Sequence, residues 1–278
     1  MTRVAAIDIG TNSTRLLVAD VEGQQLDDVV RRSTVTGLGE GVDASRRLRP
    51  AAMDRTLETV AAYARELAEL GAERTLAVAT SAARDAENGR AFLGGVGARF
   101  GFPTRLLSGD EEAELTRRGV GATAPGTLVL DVGGGSTELS LGALRTSIDV
   151  GSVRVTERFL RSDPPRPAEL DEAAAYVGTL LPDLAVTAAV GVAGTVTQLH
   201  VIAGELTRET VERELDRLAA MTSVERAQVP GMDPARAPVI VGGALVVCEV
   251  LRRYDLPRLA WSERDLLDGV ALEAASPE

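Results

Sequence analysis

Lysine is absent from the 278 residues, and all 30 basic side chains are arginine. The chain also has one cysteine (Cys248), one histidine (His200), one tryptophan (Trp261) and only 3% aromatic residues. A lone cysteine excludes an internal disulfide, and with one distant histidine it makes no zinc motif. Cys248 sits in the apolar run from Val246 to Val250 and reads as a core thiol. No stretch reaches ~18 uninterrupted apolar residues, so no membrane-spanning helix is expected. Asp8 interrupts the first apolar run, which leaves no secretory leader pattern. A cytoplasmic protein is the expectation. Scarce aromatics offer no stacking platform for single-stranded nucleic acid, and the net charge of −11 is the reverse of a basic binding field. The arginines are therefore assigned to gene composition rather than to nucleic-acid binding.

What is present is an ordinary globular composition, 45% hydrophobic and 26% charged, over a length suited to two domains. Val4 to Ile9 and Leu16 to Val21 read as strands around the turn Gly10 to Ser13, and Val29 to Val35 as a third. Met53, Leu57, Val60, Ala64, Leu67 and Leu70 then recur at helical spacing, between Pro50 in the first turn and the terminating Gly71. Thr75 to Ala79 (strand), Asp85 to Phe100 (helix), Thr104 to Leu107 (strand) and Asp110 to Val120 (helix) complete the unit. At Thr127 the pattern restarts, with strands Leu128 to Val132, Thr137 to Leu141 and Arg145 to Val150, helix Pro167 to Leu181 and strand Ala188 to Ala193.

The order fits two ribonuclease-H-like α/β domains, 1–121 and 122–278, with a cleft between them and the terminal helix free to pack back on the first. Asp8-Ile9-Gly10-Thr11-Asn12-Ser13-Thr14-Arg15-Leu16 aligns without gaps to Asp131-Val132-Gly133-Gly134-Gly135-Ser136-Thr137-Glu138-Leu139. Five of the nine positions are identical, which marks a duplication.

Each copy ends a buried strand on an aspartate and follows it with small residues whose N–H groups can converge on an anion. Gly10, Gly133, Gly134 and Gly135 allow close approach and positive φ, and Thr11, Asn12, Ser13, Ser136 and Thr137 add polar donors. Asp8 and Asp131 are the candidate Mg²⁺ ligands, because that ion takes a few carboxylates plus water and phosphate oxygens. Gly191 to Thr195, a strand running into a glycine turn and a helix start, offers a further anion position at Gly194 and Thr195. His200, among Leu199, Val201 and Ile202, reads as a satisfied structural histidine.

Seven motifs, in order along nearly the whole chain, carry a resemblance. They are DIGTNS (Asp8 to Ser13), ATSAAR (Ala79 to Arg84), SGDEEA (Ser108 to Ala113), DVGGGSTE (Asp131 to Glu138), GSVR (Gly151 to Arg154), GVAGT (Gly191 to Thr195) and SERDLLDG (Ser262 to Gly269). Together they resemble the exopolyphosphatase and guanosine pentaphosphate phosphohydrolase family of the actin-like ATPase superfamily. Asp110 stands where that family usually has Glu, outside the inferred catalytic position.

The resemblance implies that Glu112 positions or deprotonates the attacking water, with Glu138 as a second acid near metal and water. Arg15 and Arg84 are the guanidinium partners for phosphate, and Glu111 is a capping or solvated acid. It further implies Mg²⁺ (or Mn²⁺) as cofactor, a homodimer, and a phosphate-chain substrate, with short polyphosphate preferred. Guanosine pentaphosphate, yielding the tetraphosphate, is the alternative. A sugar or acetate kinase and a non-catalytic alarmone-binding module are the rivals from other classes.

Overall fold

The computed structural model describes residues 1–276 and divides into two compact units. The first contains β1 (Thr2–Ile9), β2 (Ser13–Glu22), β3 (Gln25–Val35), α1 (Val42–Ser45), α2 (Pro50–Glu69), β4 (Arg74–Ala79), α3 (Ser81–Asp85), α4 (Gly89–Phe100), β5 (Thr104–Leu106) and α5 (Gly109–Val120). The second contains β6 (Thr127–Val132), β7 (Thr137–Leu141), β8 (Leu144–Ile148), α6 (Ser152–Phe159), α7 (Pro167–Leu180), β9 (Ala188–Val192), α8 (Ala193–Ala203), β10 (Leu206–Thr207), α9 (Arg208–Ala219), α10 (Ser223–Arg226), α11 (Ile240–Arg253) and β11 (Arg258–Trp261). The last helix, α12 (Leu266–Ala275), belongs to the first unit.

The first sheet runs β3-β2-β1-β4-β5. The second, taken from its β8 edge, runs β8-β7-β6-β9-β11-β10. In both, an antiparallel three-strand meander places its first strand beside a parallel fourth, so the duplicated ribonuclease-H-like order is present in each unit. β1 is buried on both faces and alternates accordingly. Ala5, Ile7 and Ile9 point into one core with Leu16 and Val18, while Val4 and Ala6 face the other with Leu17 and Ala19.

That second face is covered by α12 through Leu266, Leu267, Val270 and Ala271. α12 lies against α5 at a separation only glycine permits, since a Cβ at Gly119 would strike Asp265 O and one at Gly269 would strike Leu115 O. The contact fixes the helix that carries Glu112.

The helix expected over Asp85 to Phe100 begins only at Gly89, and Asp85 ends the separate short helix α3. Asn88 is drawn out to clasp Leu48, accepting from Leu48 N at 2.8 Å and donating to Leu48 O at 3.0 Å, and Ala86 becomes extended. α6 has no counterpart in the sequence reading, because its β-branched Val153, Val155 and Thr156 carry weak helix propensity and its N-cap, Gly151, makes no side-chain bond. No helix among the described residues is long and apolar enough to cross a membrane.

α7 starts on a dense cap. Glu169 accepts from Arg166 N (3.0 Å), Arg166 Nη2 (2.8 Å) and Ser162 Oγ (3.0 Å). These bonds, Arg166 first, pull its carboxyl from the ordinary 4.5 to about 2. A depressed folded-state pKa contributes stability that is present above the ordinary value and lost as pH falls towards the folded one. Glu169→Gln is thus expected to lower Tm at pH 7, with the deficit shrinking steadily between pH 4.5 and 2. Paired melting curves across that range check it; a deficit that does not change with pH would show that the charge is irrelevant.

Candidate active site

The strand-end turns are built alike in the two units. In the first, Gly10 N donates to Ser13 O (3.0 Å), closing the turn between β1 and β2. Its carbonyls are taken by the segment after β3: Gly39 N donates to Thr11 O (2.8 Å), and Thr36 N and Gly37 N donate to Asn12 O (3.0 and 2.9 Å). In the second unit Gly133 N donates to Ser136 O (3.1 Å), and the start of α6, the segment after β8, takes the carbonyls. Ser152 N reaches Gly133 O (2.9 Å), and Val153 N reaches Gly134 O (2.8 Å).

In a trans peptide the C=O and the next N–H point in opposite directions, and the one cis bond recorded is Asp163-Pro164. The N–H groups of Asn12 and Ser13, and of Gly134 and Gly135, are therefore turned away from the segments that hold the carbonyls. Such aligned N–H groups make an anion cradle. At Gly10 the need for glycine is close approach, not the expected positive φ, because its φ is ordinary and a Cβ would lie 2.8 Å from Ser13 O.

Side chains of the first unit gather at the C-terminal ends of β1, β4 and β5, where Ile9 pairs with Ala79 and Ala79 with Leu106. Thr11 Oγ1 accepts from Ala82 N at the start of α3 (3.1 Å), tying the turn to the segment that bears Arg84. Arg84 Nη1 donates to Leu107 O (2.9 Å) and to Glu112 Oε2 (3.0 Å). Glu112 is 6% exposed. Its neighbour Glu111 is spent on a capping box, accepting from Ser108 N at 2.7 Å while Ser108 Oγ accepts from Glu111 N. Two adjacent acids thus have distinct work.

The duplicated position Arg15/Glu138 separates the two copies. Arg15 lies directly across from Asp8 and binds its Oδ2 (2.8 Å), with a further ion pair to Asp265. Burial pushes the Asp8 carboxyl above its ordinary value, Arg15 opposes this, and the charge of Asp265 adds to the rise. Glu138 lies directly across from Asp131, so two buried acids share one face; Glu138 Oε1 accepts from Ser147 Oγ (2.7 Å). The first pair joins an acid to a base, whereas the second sets two acids side by side.

Two buried polar atoms of the first turn have no hydrogen-bond partner, Asp8 Oδ1 and Asn12 Nδ2. Each costs about 1–3 kcal/mol unless something binds it. An acceptor and a donor orphaned in one turn suit a metal and a phosphate oxygen respectively.

A profile of the Ppx/GppA phosphatase family matches residues 17–277. The chain belongs to the Ppx/GppA phosphatase family. It is 40% identical, over an alignment of 316 residues, to Exopolyphosphatase 2 of Mycobacterium tuberculosis, with 99% of each chain covered. Among solved structures it is similar to an exopolyphosphatase from Cytophaga hutchinsonii, with a TM-score of 0.90, 25% identity and 99% of both chains covered. It is also similar to the Aquifex aeolicus PPX-GPPA enzyme, with a TM-score of 0.80, 29% identity and 98% and 99% covered.

Around the family motifs, the structure adds residues that spacing alone did not single out. Asp265 holds Arg15 and also caps α12, accepting from Leu267 N (2.9 Å). Arg154 donates through Nε to Gly135 O (2.6 Å). Arg236 lies over Gly194, where a Cβ would collide with its guanidinium. Gly243 brings α11 against Thr195, a Cβ there lying 2.5 Å from Thr195 Cγ2. GSVR and SERDLLDG did contain Arg154 and Asp265, but a motif does not say which member reaches the turn. His200 Nδ1 donates to Gly204 O (2.9 Å), and the ring stacks on Trp261 at 4.3 Å.

Proposed function

We propose that this chain is an exopolyphosphatase that hydrolyses the terminal phosphoanhydride of inorganic polyphosphate, with short chains preferred. The observation that carries the reading is the pair of orphaned buried atoms, Asp8 Oδ1 and Asn12 Nδ2, in a turn whose N–H groups already face one way. The similarity to the mycobacterial Exopolyphosphatase 2 supports the substrate class.

In this reading Glu112, oriented by Arg84, accepts a proton from the attacking water as its oxygen bonds to the terminal phosphorus. The anhydride P–O bond breaks, and orthophosphate leaves with the shortened chain. Backbone N–H groups of the turns, with Ser13, Ser136, Thr137, Gly194 and Thr195, orient the phosphoryl oxygens. Alignment carries most of the rate, because this chemistry needs little covalent help.

Asp131 and Glu138 would hold Mg²⁺, and Asp8 is the matching acid of the first unit. The ion would supply positive charge to phosphoryl oxygens that otherwise meet a chain of net charge −11. Two facing acids fit an ion that keeps water and phosphate oxygens as its other ligands. Among the described residues no group of three or more His, Cys, Asp or Glu is placed to hold a metal alone.

Orthophosphate release measured side by side on tripolyphosphate, long polyphosphate and guanosine pentaphosphate tests the function. Fastest release from tripolyphosphate is expected; preference for guanosine pentaphosphate, or transfer from ATP to an added sugar, would overturn it. Chelation is expected to silence release, and Asp131→Asn to raise the Mg²⁺ needed for half activity by about tenfold, the loss of roughly one charge-assisted contact. Full activity in excess chelator would remove the metal from the mechanism.

A further inference from the structure

Building on the proposed phosphate cradle in the second unit, we propose that Arg154 is a positioning residue that sets the outer peptide of the glycine turn and so completes an N–H nest for phosphate. The four residues from Gly151 to Arg154 press on this turn from one side. Ser152 N takes Gly133 O (2.9 Å), and Val153 N and Arg154 N take Gly134 O (2.8 and 3.1 Å). Gly151 lies so close that a Cβ would come 2.6 Å from both Gly134 C and Gly134 O.

The next carbonyl, Gly135 O, is met by a side chain, that of Arg154, through Nε at 2.6 Å. With the carbonyls of Gly133, Gly134 and Gly135 all held on the α6 side, peptide planarity turns the N–H groups of Gly134, Gly135 and Ser136 to the other side. Three consecutive amides facing one way is the arrangement that binds a phosphate oxygen.

The Arg154 side chain is buried, with 8% exposure, and its Nη2 lies 3.9 Å from Asp149 Oδ1. A guanidinium kept this deep for its charge alone would cost several kcal/mol of desolvation. A charged donor on a carbonyl gives it a use at the turn. In the first unit the corresponding carbonyls of Thr11 and Asn12 are held by backbone N–H groups alone. Arg154 is thus an addition specific to the second copy.

The experiment separates hydrogen bond from charge. Gln places an N–H donor at the same depth as Arg Nε without the charge, Lys keeps the charge but has carbon there, and Met keeps only the stem. Arg154→Met is expected to raise KM for tripolyphosphate roughly 10- to 100-fold, the worth of a charged hydrogen bond, with kcat changed by less and with Tm measured alongside. Arg154→Gln is expected to recover most of that KM and Arg154→Lys to recover little. Rescue by Lys and not by Gln would overturn the proposal, since charge on the substrate would then be the role.

A second measurement does not depend on these variants folding. In the intact chain carrying Glu112→Gln, titration with tripolyphosphate is expected to shift the amide resonances of Gly134, Gly135 and Ser136. Unmoved amides in a protein whose parent hydrolyses tripolyphosphate would overturn the nest. Shifted amides in a protein whose parent releases no orthophosphate from any polyphosphate would overturn the functional reading and leave the nest standing.

Discussion

Glu112→Gln is expected to lower turnover of polyphosphate by about 10²- to 10⁴-fold, the usual contribution of a general base. The substitution keeps the side chain's shape and leaves a carbonyl oxygen for Arg84 Nη1, now 3.0 Å from Glu112 Oε2, so the packing of α5 is retained. It removes the proposed proton acceptor and, with it, a negative charge near the proposed polyanion. Affinity should therefore hold or tighten while kcat falls. Glu111→Gln is the matched control. That residue is one position away and faces Ser108 in the capping box, so its loss should cost some stability and little turnover. Steady-state kinetics with melting curves on both variants decide the matter. A Glu112→Gln enzyme with more than half its activity would remove Glu112 from the mechanism.

Gly10→Val and Gly134→Val are each expected to weaken polyphosphate binding by about 100-fold or more, equivalent to losing one or two hydrogen bonds to a charged ligand. At Gly10 the cause is specific. A Cβ would sit 2.8 Å from Ser13 O, the oxygen that Gly10 N itself binds, so the turn must open and its N–H groups must lose their common direction. At Gly134 the carbonyl is held by Val153 N and Arg154 N and the peptide packs closely on Gly151, so a branched side chain is expected to loosen it from α6. If the glycines serve only the fold, the variants should melt early and the folded fraction should bind normally. Near-native melting with lost binding supports the cradle; intact binding in either folded variant would make that turn scaffold.

Much of this was legible in the chain itself, for identifiable reasons. The buried strand Val4 to Ile9 announces itself because both faces are covered and the run is apolar but for Asp8. The duplication is legible because aspartate, glycine, serine and threonine recur at fixed offsets, and such turns depend on local backbone chemistry. Glu111 reads as a capping or solvated acid because a capping box spans only four residues. α6 was not legible. Its helix-averse sequence is held in place by three glycine carbonyls, about twenty residues earlier in the chain, that its N–H groups and Arg154 satisfy.

The sequence by itself determined the family, the two α/β units, the strand-end turns and the identity of the acids, since these rest on residue type and short spacing. Tertiary structure alone decided their states. Arg15 is neutralised between Asp8 and Asp265, which is 250 residues away, while its duplicate Glu138 is set across from Asp131. Arg84 meets Glu112 across 28 residues. Partnerships of that kind depend on sheet register and on helices brought to backbone contact by Gly119, Gly151 and Gly269. Long-range packing sets which charged groups meet, and no local pattern encodes it.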